Sequence, residues 1–258
     1  LESVKSAAGS CGVYVEQPNP IGILDGGLTE IKEIIGEHTA LIIGVQPVSL
    51  GLIEAPGNYG ADIIVGEGQP FGSPPTGGGP IYGIFACTEK YLRQMPGRIV
   101  GQSWDSDGKL AFTLTLSTRE QHIRRHKATS NICSNETLIA LMGSIHMALL
   151  GPEGLNQLSM RIAANTRILQ SQITSINELK LAYPDSPHFR EIAVRLSGNA
   201  SELLEFLDSK GILGGFDLGR WWDNKSDMLL IGVDERTKKS DIELLTKEIS
   251  EWLVTKDE

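Results

Sequence analysis

The stretch GADIIVGEGQPFGSPPTGGGP, residues 60–80, holds the clearest structural signal in the sequence. Its segment Asp-Ile-Ile-Val (62–65) contains the short apolar run Ile-Ile-Val, which is typical of a strand buried on both faces. A long loop dense in glycine and proline follows, from residue 66 to residue 80. Glycine permits positive φ and a close approach of the backbone to a ligand or a neighbouring chain. The loop is therefore the first candidate for a binding site.

Two phosphate-binding motifs are excluded for this loop. No Gly-Lys-Ser/Thr follows, as a P-loop requires. Gly66 and Gly68 do follow a strand, but Pro70 and Pro74 stand where the helix of a dinucleotide-binding fingerprint would begin. The backbone amides could still cradle a phosphate. A rigid surface or interface loop explains the same composition, and the residues alone leave both interpretations open.

The segments before the loop alternate between strands and a helix. Residues 12–16 and 41–45 are short β-branched or apolar runs that predict strands. Between them, residues 28–37 carry apolar side chains at helical spacing. This alternation predicts a mostly parallel sheet with crossover connections. Because the chain starts at Leu1 and enters its first strand almost at once, we expect a fragment without its N-terminal half, with an engineered or processed terminus as the alternative.

After the loop, extended segments give way to helices. Asp105, Asp107 and Gly108 lie between two extended runs and predict a hairpin turn. The elements expected here are a strand at 81–87, a short helix at 88–94, and hairpin strands at about 98–103 and 109–116.

From Arg119 onward the pattern predicts long helices. Ser134 is a candidate N-cap, Gly151 ends its helix, and Pro152 fits the first turn of a second helix to about residue 174. The rest predicts a small α+β domain. Its expected elements are strands at 189–196, 215–221 and 228–233, and helices at 200–209 and 240–254.

Composition narrows the class of protein. The 258 residues are 40% hydrophobic and 21% charged, with a net charge of -9, as in ordinary globular proteins. An acidic balance argues against a nucleic-acid or anionic-membrane partner. No stretch approaches the ~18 apolar residues of a membrane span. Cys11, Cys87 and Cys133 form neither a metal-type pair nor a disulfide framework, which favours a reducing cytoplasm.

Other candidate residues carry weaker signals. His38, His146 and His188 are isolated in sequence, so no metal site is expected. Trp221 and Trp222 favour core or interface packing. A basic cluster could meet a phosphate or an acidic partner, although a solvated helix end explains it as well. Its members are Arg119, His122, Arg124, Arg125, His126 and Lys127.

Five blocks of the sequence together resemble the P-protein of the glycine cleavage system, specifically the first (α) subunit of its two-subunit form. The blocks are VEQPNPIG (15–22), GADIIVGEGQPFGSPPTGGGP (60–80), PGRIVGQSWDSDGK (96–109), LSTREQHIRRHKATSNICSN (116–135) and LIALMGSIHMALLGPEGL (138–155). The resemblance implies an α/β fold of the fold-type I class of pyridoxal-phosphate enzymes. It implies the C-terminal half of the large domain at 1–118, connecting helices at 119–175 and a small α+β domain at 176–258.

The resemblance also implies site residues. In the catalytic subunit, a lysine before the Gly-rich loop binds the cofactor, and a carboxylate keeps the pyridine nitrogen protonated. Here the lysine position falls at Gln69 or Pro70, and the acid position falls near Gly44. We therefore expect no catalytic residue in this chain, with Gln69 marking the vacated position. The loop residues Thr76, Gly77, Gly78 and Gly79 are candidates for cofactor or interface contact.

Three functional hypotheses follow from this resemblance. The first is a glycine decarboxylase subunit that works with a lysine-bearing subunit 2 (β), which holds pyridoxal 5′-phosphate. Together they would decarboxylate glycine and transfer the aminomethyl group to the lipoate of H-protein, with Arg124, Arg125 and Lys127 as candidate partner contacts. The second is a purely structural scaffold. The third is an independent aminotransferase-like enzyme, which would need a lysine of its own.

Overall fold

The computed structural model describes residues 2–116, 121–128 and 136–256. Arg119, Cys133 and Ser134 lie outside these residues, as does the side chain of His122. The strands are β1 (Gly12–Gln17), β2 (Ala40–Val45), β3 (Ile63–Glu67), β4 (Gly83–Cys87), β5 (Val100–Trp104), β6 (Leu110–Leu114), β7 (Lys180–Leu181), β8 (Glu191–Arg195), β9 (Phe216–Asp217) and β10 (Met228–Gly232). The α-helices are α1 (Glu2–Lys5), α2 (Ile31–Ile35), α3 (Gln121–Arg124), α4 (Thr137–Thr174), α5 (Ala200–Ser209) and α6 (Lys239–Lys256).

The first sheet has the order β1-β2-β3-β4 and is mostly parallel, as predicted. β1, β2 and β3 run parallel, and β4 joins β3 antiparallel. Glu16 on β1 pairs with Gly44 on β2, which pairs with Val65 on β3, so the carboxyl ends of three strands lie side by side. One face packs its apolar side chains against the segment that ends in α2. The buried cluster comprises Val13, Leu28, Ile31, Ile35, Leu41, Ile43, Val45 and Ala61.

A buried ion pair joins α2 to this sheet. Lys32 Nζ lies 2.7 Å from Asp62 Oδ2, and the two side chains are only 14% and 10% exposed. The same carboxylate oxygen accepts a hydrogen bond from the Leu41 amide. Burial alone would raise the pKa of Asp62, but the hydrogen bonds from Lys32 and Leu41 and nearby positive charge outweigh it and lower that pKa.

The long helix α4 is broken once, where the sequence predicts the end of one helix and the start of another. Gly151 has φ 60 and ψ -176, which is not helical, and Pro152 follows it. α4 also contains an 18-residue window of mean hydropathy 1.4 that is only 6% buried, so it passes a length and composition test for a membrane span. The expectation that no stretch approaches such a span was wrong on this measure, because the few polar residues that interrupt the apolar run leave the mean hydropathy of the window high.

The second sheet has the order β7-β8-β10-β9 and its strands pair antiparallel. α5, α6 and the second half of α4 cover it. Its main buried cluster includes Leu169, Ile173, Ile192, Val194, Leu203, Leu207, Leu229, Ile249 and Trp252. β5 and β6 form a separate two-stranded hairpin, as predicted from the turn residues between them.

Several predicted elements are shorter in the structure or differ in type. The helix expected at 28–37 is a 3-10 turn, Gly26–Glu30, followed by α2, which ends before Gly36 at φ 77. The helix expected at 88–94 is a 3-10 helix, Glu89–Gln94. The strand expected at 215–221 ends at Asp217, because that side chain caps a 3-10 turn.

Two further differences between sequence and structure concern single features. The strand β7 was not predicted, because its two residues are too few to show a periodic pattern. Trp221 and Trp222 are 53% and 45% exposed, so they are not part of a core within the described residues.

Candidate functional site

A cleft of about 540 Å³ lies at the carboxyl ends of β1, β2 and β3. In open α/β sheets, ligands bind in the crevice outside these strand ends, so its position alone makes it the candidate site. The residues that line it include Glu16 from β1, Gly44 from β2 and Glu67 from β3. Gln69 from the Gly-rich loop and Arg190 from the segment that leads into β8 also line this cleft.

A second cleft of about 540 Å³ adjoins the first. The two share four lining residues, namely Gln46, Gln69, Pro70 and Arg190. The second cleft continues past Ser73 towards His146 on α4 and Arg236. Arg236 is already paired with Asp234 at 3.2 Å. The four shared residues therefore form the centre of one larger site.

Tyr14 and Glu16 cover the first cleft's floor at Gly44. The Tyr14 hydroxyl donates a hydrogen bond of 2.6 Å to Glu16 Oε1. A Cβ atom added at Gly44 would lie 2.3 Å from Tyr14 Oη and 3.0 Å from Glu16 Cγ. Partial burial raises the pKa of Tyr14 to about 12, and the hydrogen bond and charge of Glu16 add to that rise. The phenol therefore stays protonated and donates to Glu16 at neutral pH.

Gln46 enters the site with a fixed orientation. It is the N-cap of the 3-10 helix Pro47–Gly51, and its Oε1 accepts a hydrogen bond of 2.9 Å from the Ser49 amide. The Ser49 hydroxyl donates back to the Gln46 carbonyl at 2.7 Å. Because the oxygen is held by this cap, the other end of the side-chain amide must be the nitrogen. Nε2 is buried and has no hydrogen-bond partner among the residues described.

Arg190 is held in an unusual backbone conformation. Its φ is 73, in the left-handed region that residues with a Cβ rarely adopt. Its amide donates to Thr166 Oγ1 at 3.0 Å, and its carbonyl accepts from Val233 at 3.0 Å. On either side, the Phe189 amide donates to the Gly22 carbonyl at 2.8 Å, and a Cβ at Gly22 would lie 2.0 Å from the Glu191 carbonyl oxygen. These contacts determine the conformation.

The charged end of Arg190 is only partly used. Its Nε lies 3.3 Å from Glu191 Oε1. The two terminal guanidinium nitrogens have no partner among the residues that the structure describes. Burial raises the pKa of Glu191 to about 7, although the charge of Arg190 works against this rise. The guanidinium fork is therefore available to an anionic group in the cleft.

These side chains do not fit a covalently held pyridoxal phosphate. None of the described residues that line the two clefts is a lysine. Gln69 lines both clefts, and its backbone amide donates to Glu67 Oε1 at 3.1 Å. No acid stands at Gly44, where the phenol of Tyr14 fills the space instead. Among the described lining residues, the cleft therefore offers no lysine for an imine with the cofactor, and position 44 itself carries no carboxylate for the ring nitrogen.

The candidate loop residues Thr76–Gly79 lie outside the lining of both clefts. Pro75, which lines the second cleft, is the last residue of the Gly-rich loop in either lining. Gly77, Gly78 and Gly79 have φ values of 66, 108 and 150, which only glycine adopts readily. The Thr76 hydroxyl donates to the Gly79 carbonyl at 2.6 Å. The loop is thus closed on itself and exposed, and the structure does not bring it together with Gln46 and Arg190.

The basic cluster and the histidines lie in different surroundings. Arg124, Arg125 and Lys127 are exposed on the short α3 and the 3-10 turn after it. His146 packs against Gly72, and His188 lies 3.1 Å from Gln170 Nε2, with its pKa lowered by burial. Within residues 2–116, 121–128 and 136–256, no group of three or more His, Cys, Asp or Glu side chains could hold a metal ion.

Sequence reasoning missed Tyr14, Gln46 and Arg190. Gln46 directly follows β2, where the end of a parallel strand is itself a signal for a ligand contact. Tyr14 lies two residues before Glu16 on β1, so alternation along the strand places both on one face. Arg190 gave no local signal, because only the packing of β8 near Gly22 brings it to the cleft.

Comparisons with known proteins agree on one family. The family model for the glycine cleavage system P-protein matches residues 2–249. The probable glycine dehydrogenase (decarboxylating) subunit 1 of Thermococcus kodakarensis is 44% identical over 255 residues, which are 97% of this chain and 56% of that protein. The chain thus spans about half the length of the curated relatives it matches.

Solved structures give the same picture. A crystal structure of glycine decarboxylase (P-protein) of the glycine cleavage system, in inhibitor-bound form, superposes with a TM-score of 0.85 at 34% identity, covering 93% of this chain and 54% of that one. A NifS-like protein superposes with a TM-score of 0.64 at 13% identity over 98% of this chain and 64% of its own, which shows the fold alone. The expected fold-type I class, with a mostly parallel sheet, is confirmed.

Proposed function

Because the chain belongs to the glycine cleavage system P-protein family, we propose that it forms part of the glycine decarboxylase subunit that lacks the cofactor's lysine. The observation that carries this proposal is the cleft at the strand ends, where Gln69 and Gly44 stand and none of the described lining residues is a lysine. Relatives at 44% identity are named subunit 1, which supports a second subunit. The lysine-bearing subunit 2 (β) would hold pyridoxal 5′-phosphate.

In this proposal the partner's cofactor supplies the electron sink for removing CO₂ from glycine. The aminomethyl group then passes to the lipoate of H-protein. This chain contributes surface and shape to the site rather than a reacting group. Thr76, Gly77, Gly78 and Gly79 are the proposed contact with the partner. The exposure of Thr76, Gly77 and Gly78 supports this, as do the positive φ values of the three glycines, which close the loop without side chains.

We also propose a division of the chain and a location for the complex. The proposed domains are 1–118, 119–175 and 176–258, supported by the separate cores of the two four-stranded sheets. A cytoplasmic location is supported by Cys11 and Cys87, which are both free thiols.

Co-expression with a lysine-bearing subunit tests this function directly. The assembled complex should catalyse exchange between glycine and CO₂ in the presence of H-protein, and this chain alone should not. Replacing Gly77 by alanine adds a Cβ that meets no atom within 4 Å, so its folding cost is only that of φ 66. Gly211→Ala is the matched control, since Gly211 has φ 74, equally open surroundings and a position after α5.

The outcomes separate the hypotheses. Lower exchange in Gly77→Ala and Thr76→Ala, with assembly intact and Gly211→Ala unaffected, supports a contribution of the loop to the active site. Unchanged exchange in both loop variants would favour the structural scaffold. A visible cofactor band from this chain alone, removed by one lysine substitution, would instead identify an independent enzyme and overturn the proposal.

A further inference from the structure

We propose that a cavity on the second sheet binds a small aromatic carboxylate, with its ring against Tyr183 and Trp222 and its carboxylate at Lys225. The cavity has a volume of about 440 Å³, and none of its described lining residues lines either of the two clefts at the first sheet. The inference therefore goes beyond the proposed function, and it requires neither a cofactor nor a second subunit.

The cavity lies on the face of the second sheet that is opposite the helices. Leu229 and Ile231 on β10 belong to the buried cluster that α5 and α6 cover. Because side chains alternate along a strand, Met228 and Leu230 point to the other face, where they pack with Leu218. Met228 and Leu218 are only 2% and 1% exposed, and they form the buried apolar part of the cavity lining.

Two aromatic side chains of the lining remain accessible. Tyr183 is 40% exposed and Trp222 is 45% exposed, so a ligand in the cavity can reach both rings. Trp221 orients the Trp222 ring through an edge contact, with the centroids 5.7 Å apart, and Trp221 itself lies 4.5 Å from Phe216. Aromatic rings prefer offset and edge contacts with other rings, so this lining favours an aromatic ligand over an aliphatic one.

Asn19 presents an oriented donor to the cavity. Its Oδ1 accepts hydrogen bonds from the amides of Ile21 and Ile23, at 3.1 and 3.0 Å. Because the oxygen is held in this way, the other end of the side-chain amide is the nitrogen. Nδ2 has no hydrogen-bond partner among the described residues and is not one of their fully buried polar atoms. It is therefore free to donate to a ligand.

Lys225 supplies a positive charge without a counter-charge. It is half-buried and forms no ion pair among the described residues, since the nearby Asp227 pairs with Arg195. Its carbonyl accepts from the Met228 amide at 3.0 Å, so the backbone that carries it is fixed. A partly desolvated ammonium group next to an apolar cavity gains from an anionic ligand, because a charge-assisted hydrogen bond is stronger there than in water.

The remaining polar groups decide the charge of the ligand. The Tyr183 hydroxyl has no partner among the described residues and can also donate. Asp223 is the one carboxylate among the described lining residues, but it is exposed, and water and salt screen an exposed charge strongly. Three donors therefore face one screened acceptor, which favours a monoanion. The volume falls within the roughly 300–1,000 Å³ typical of small-molecule sites.

Isothermal titration calorimetry on the purified chain tests the inference with four probes. Phenylacetate should bind saturably. Phenylacetamide, which has the same shape without the charge, and phenethylamine, which has the opposite charge, should each bind at least about fivefold more weakly. Cyclohexylacetate keeps the carboxylate but has no aromatic ring, so it should bind about threefold or more weakly than phenylacetate.

Two variants remove the contacts with the carboxylate. Asn19→Asp keeps the oxygen that accepts from Ile21 and Ile23 and replaces Nδ2 by an oxygen. Lys225→Gln removes the ammonium group. Each should weaken phenylacetate binding by at least about fivefold. Lys247→Gln, the same loss of charge at an exposed position of α6, should leave binding unchanged.

Two further variants test the ring contact and the rim. Trp222→Leu should weaken phenylacetate binding by about threefold or more. Trp104→Leu, at a 68% exposed position of the hairpin, is its matched control and should have no effect. Asp223→Asn should strengthen phenylacetate binding by about two- to fivefold, because it removes a like charge near the carboxylate.

Absence of saturable heat with phenylacetate at tens of millimolar would overturn the inference. Equal or tighter binding of phenylacetamide or phenethylamine would overturn the anionic class of the ligand, and equal binding of cyclohexylacetate would overturn the aromatic class. Binding that survives both Lys225→Gln and Trp222→Leu would show that the ligand occupies another place. The proposed function fails separately, through loss of glycine–CO₂ exchange in the assembled complex.

Discussion

An aspartate at position 44 should destabilise the protein by about 3 kcal/mol at neutral pH, through a steric part and a larger electrostatic part. The added Cβ would lie 2.3 Å from Tyr14 Oη, so the tyrosine must turn away. Its ring is already 54% exposed and can do so, at the loss of its hydrogen bond to Glu16. That loss is worth about 1 kcal/mol.

The electrostatic part follows from the distance to Glu16. Because the new Cβ would lie 3.0 Å from Glu16 Cγ, the two carboxylates would stand roughly 5 Å apart. At an effective dielectric constant of 20 to 40, two like charges at that distance repel by about 2–3 kcal/mol. The partial exposure of this cleft favours the lower figure. Gly44→Asn, which has the same shape without the charge, should show only the steric part.

Urea denaturation of Gly44→Ala, Gly44→Asn and Gly44→Asp measures these parts separately. Adding Glu16→Gln to Gly44→Asp should recover about 2 kcal/mol, because glutamine keeps the shape of the side chain while the repulsion between the two carboxylates disappears. The excess cost of aspartate over asparagine should also shrink as the pH falls below about 4. Equal stabilities of the Asp and Asn variants, or no recovery with Glu16→Gln, would refute this account of the cleft floor.

Three further predictions concern the framework that holds the cleft. Lys32→Met should lower the free energy of unfolding by about 3–4 kcal/mol in urea denaturation, because it leaves the buried Asp62 carboxylate unpaired, and Asp62→Asn should cost less. Glu191 has a folded pKa of about 7, above its ordinary value of 4.5, so its burial destabilises the fold increasingly as the pH rises through that window. Glu191→Gln should therefore gain about 2 kcal/mol at pH 8 and nothing at pH 4, allowing for its partial exposure; a gain that did not vary with pH would contradict this. Gly22→Ala should cost at least about 3 kcal/mol by the same assay, since its Cβ would overlap backbone and its φ is positive, whereas Gly26→Ala, in open space, should be close to neutral.

The second strand of the first sheet could be predicted because burial on both sides leaves a continuous apolar run. Leu41, Ile42 and Ile43 form such a run in β2, where all residues but Ile42 are buried, and the strand expected at 41–45 is confirmed within one residue. The break at Gly151 was equally readable, since proline cannot continue the helix before it. The 3-10 turn Gly26–Glu30 was not, because the apolar spacing of a short 3-10 and α segment resembles that of a longer helix.

The site was predictable only in part, because its residues meet through packing rather than through sequence. Gln69 was placed next to a strand end by the resemblance, and the structure puts it in the lining of both clefts. Gln46 and Arg190 are distant in sequence and line the same cleft only because long-range contacts, such as the hydrogen bonds of Phe189 to Gly22 and of Arg190 to Thr166, position Arg190. No periodicity encodes a hydrogen bond of that kind.

The exposed apolar surface of α4 and the hairpin has one physical explanation. Val100 pairs with Leu114 and Trp104 with Leu110, so one face of β5 and β6 is apolar, with these side chains 51–68% exposed. A two-stranded sheet of this kind is marginal in water unless something covers it. The part of α4 before the break at Gly151 spans only about 20 Å at 1.5 Å per residue, short of the ~30 Å hydrocarbon core of a membrane. Contact with protein therefore accounts for both surfaces, and it agrees with the proposed complex.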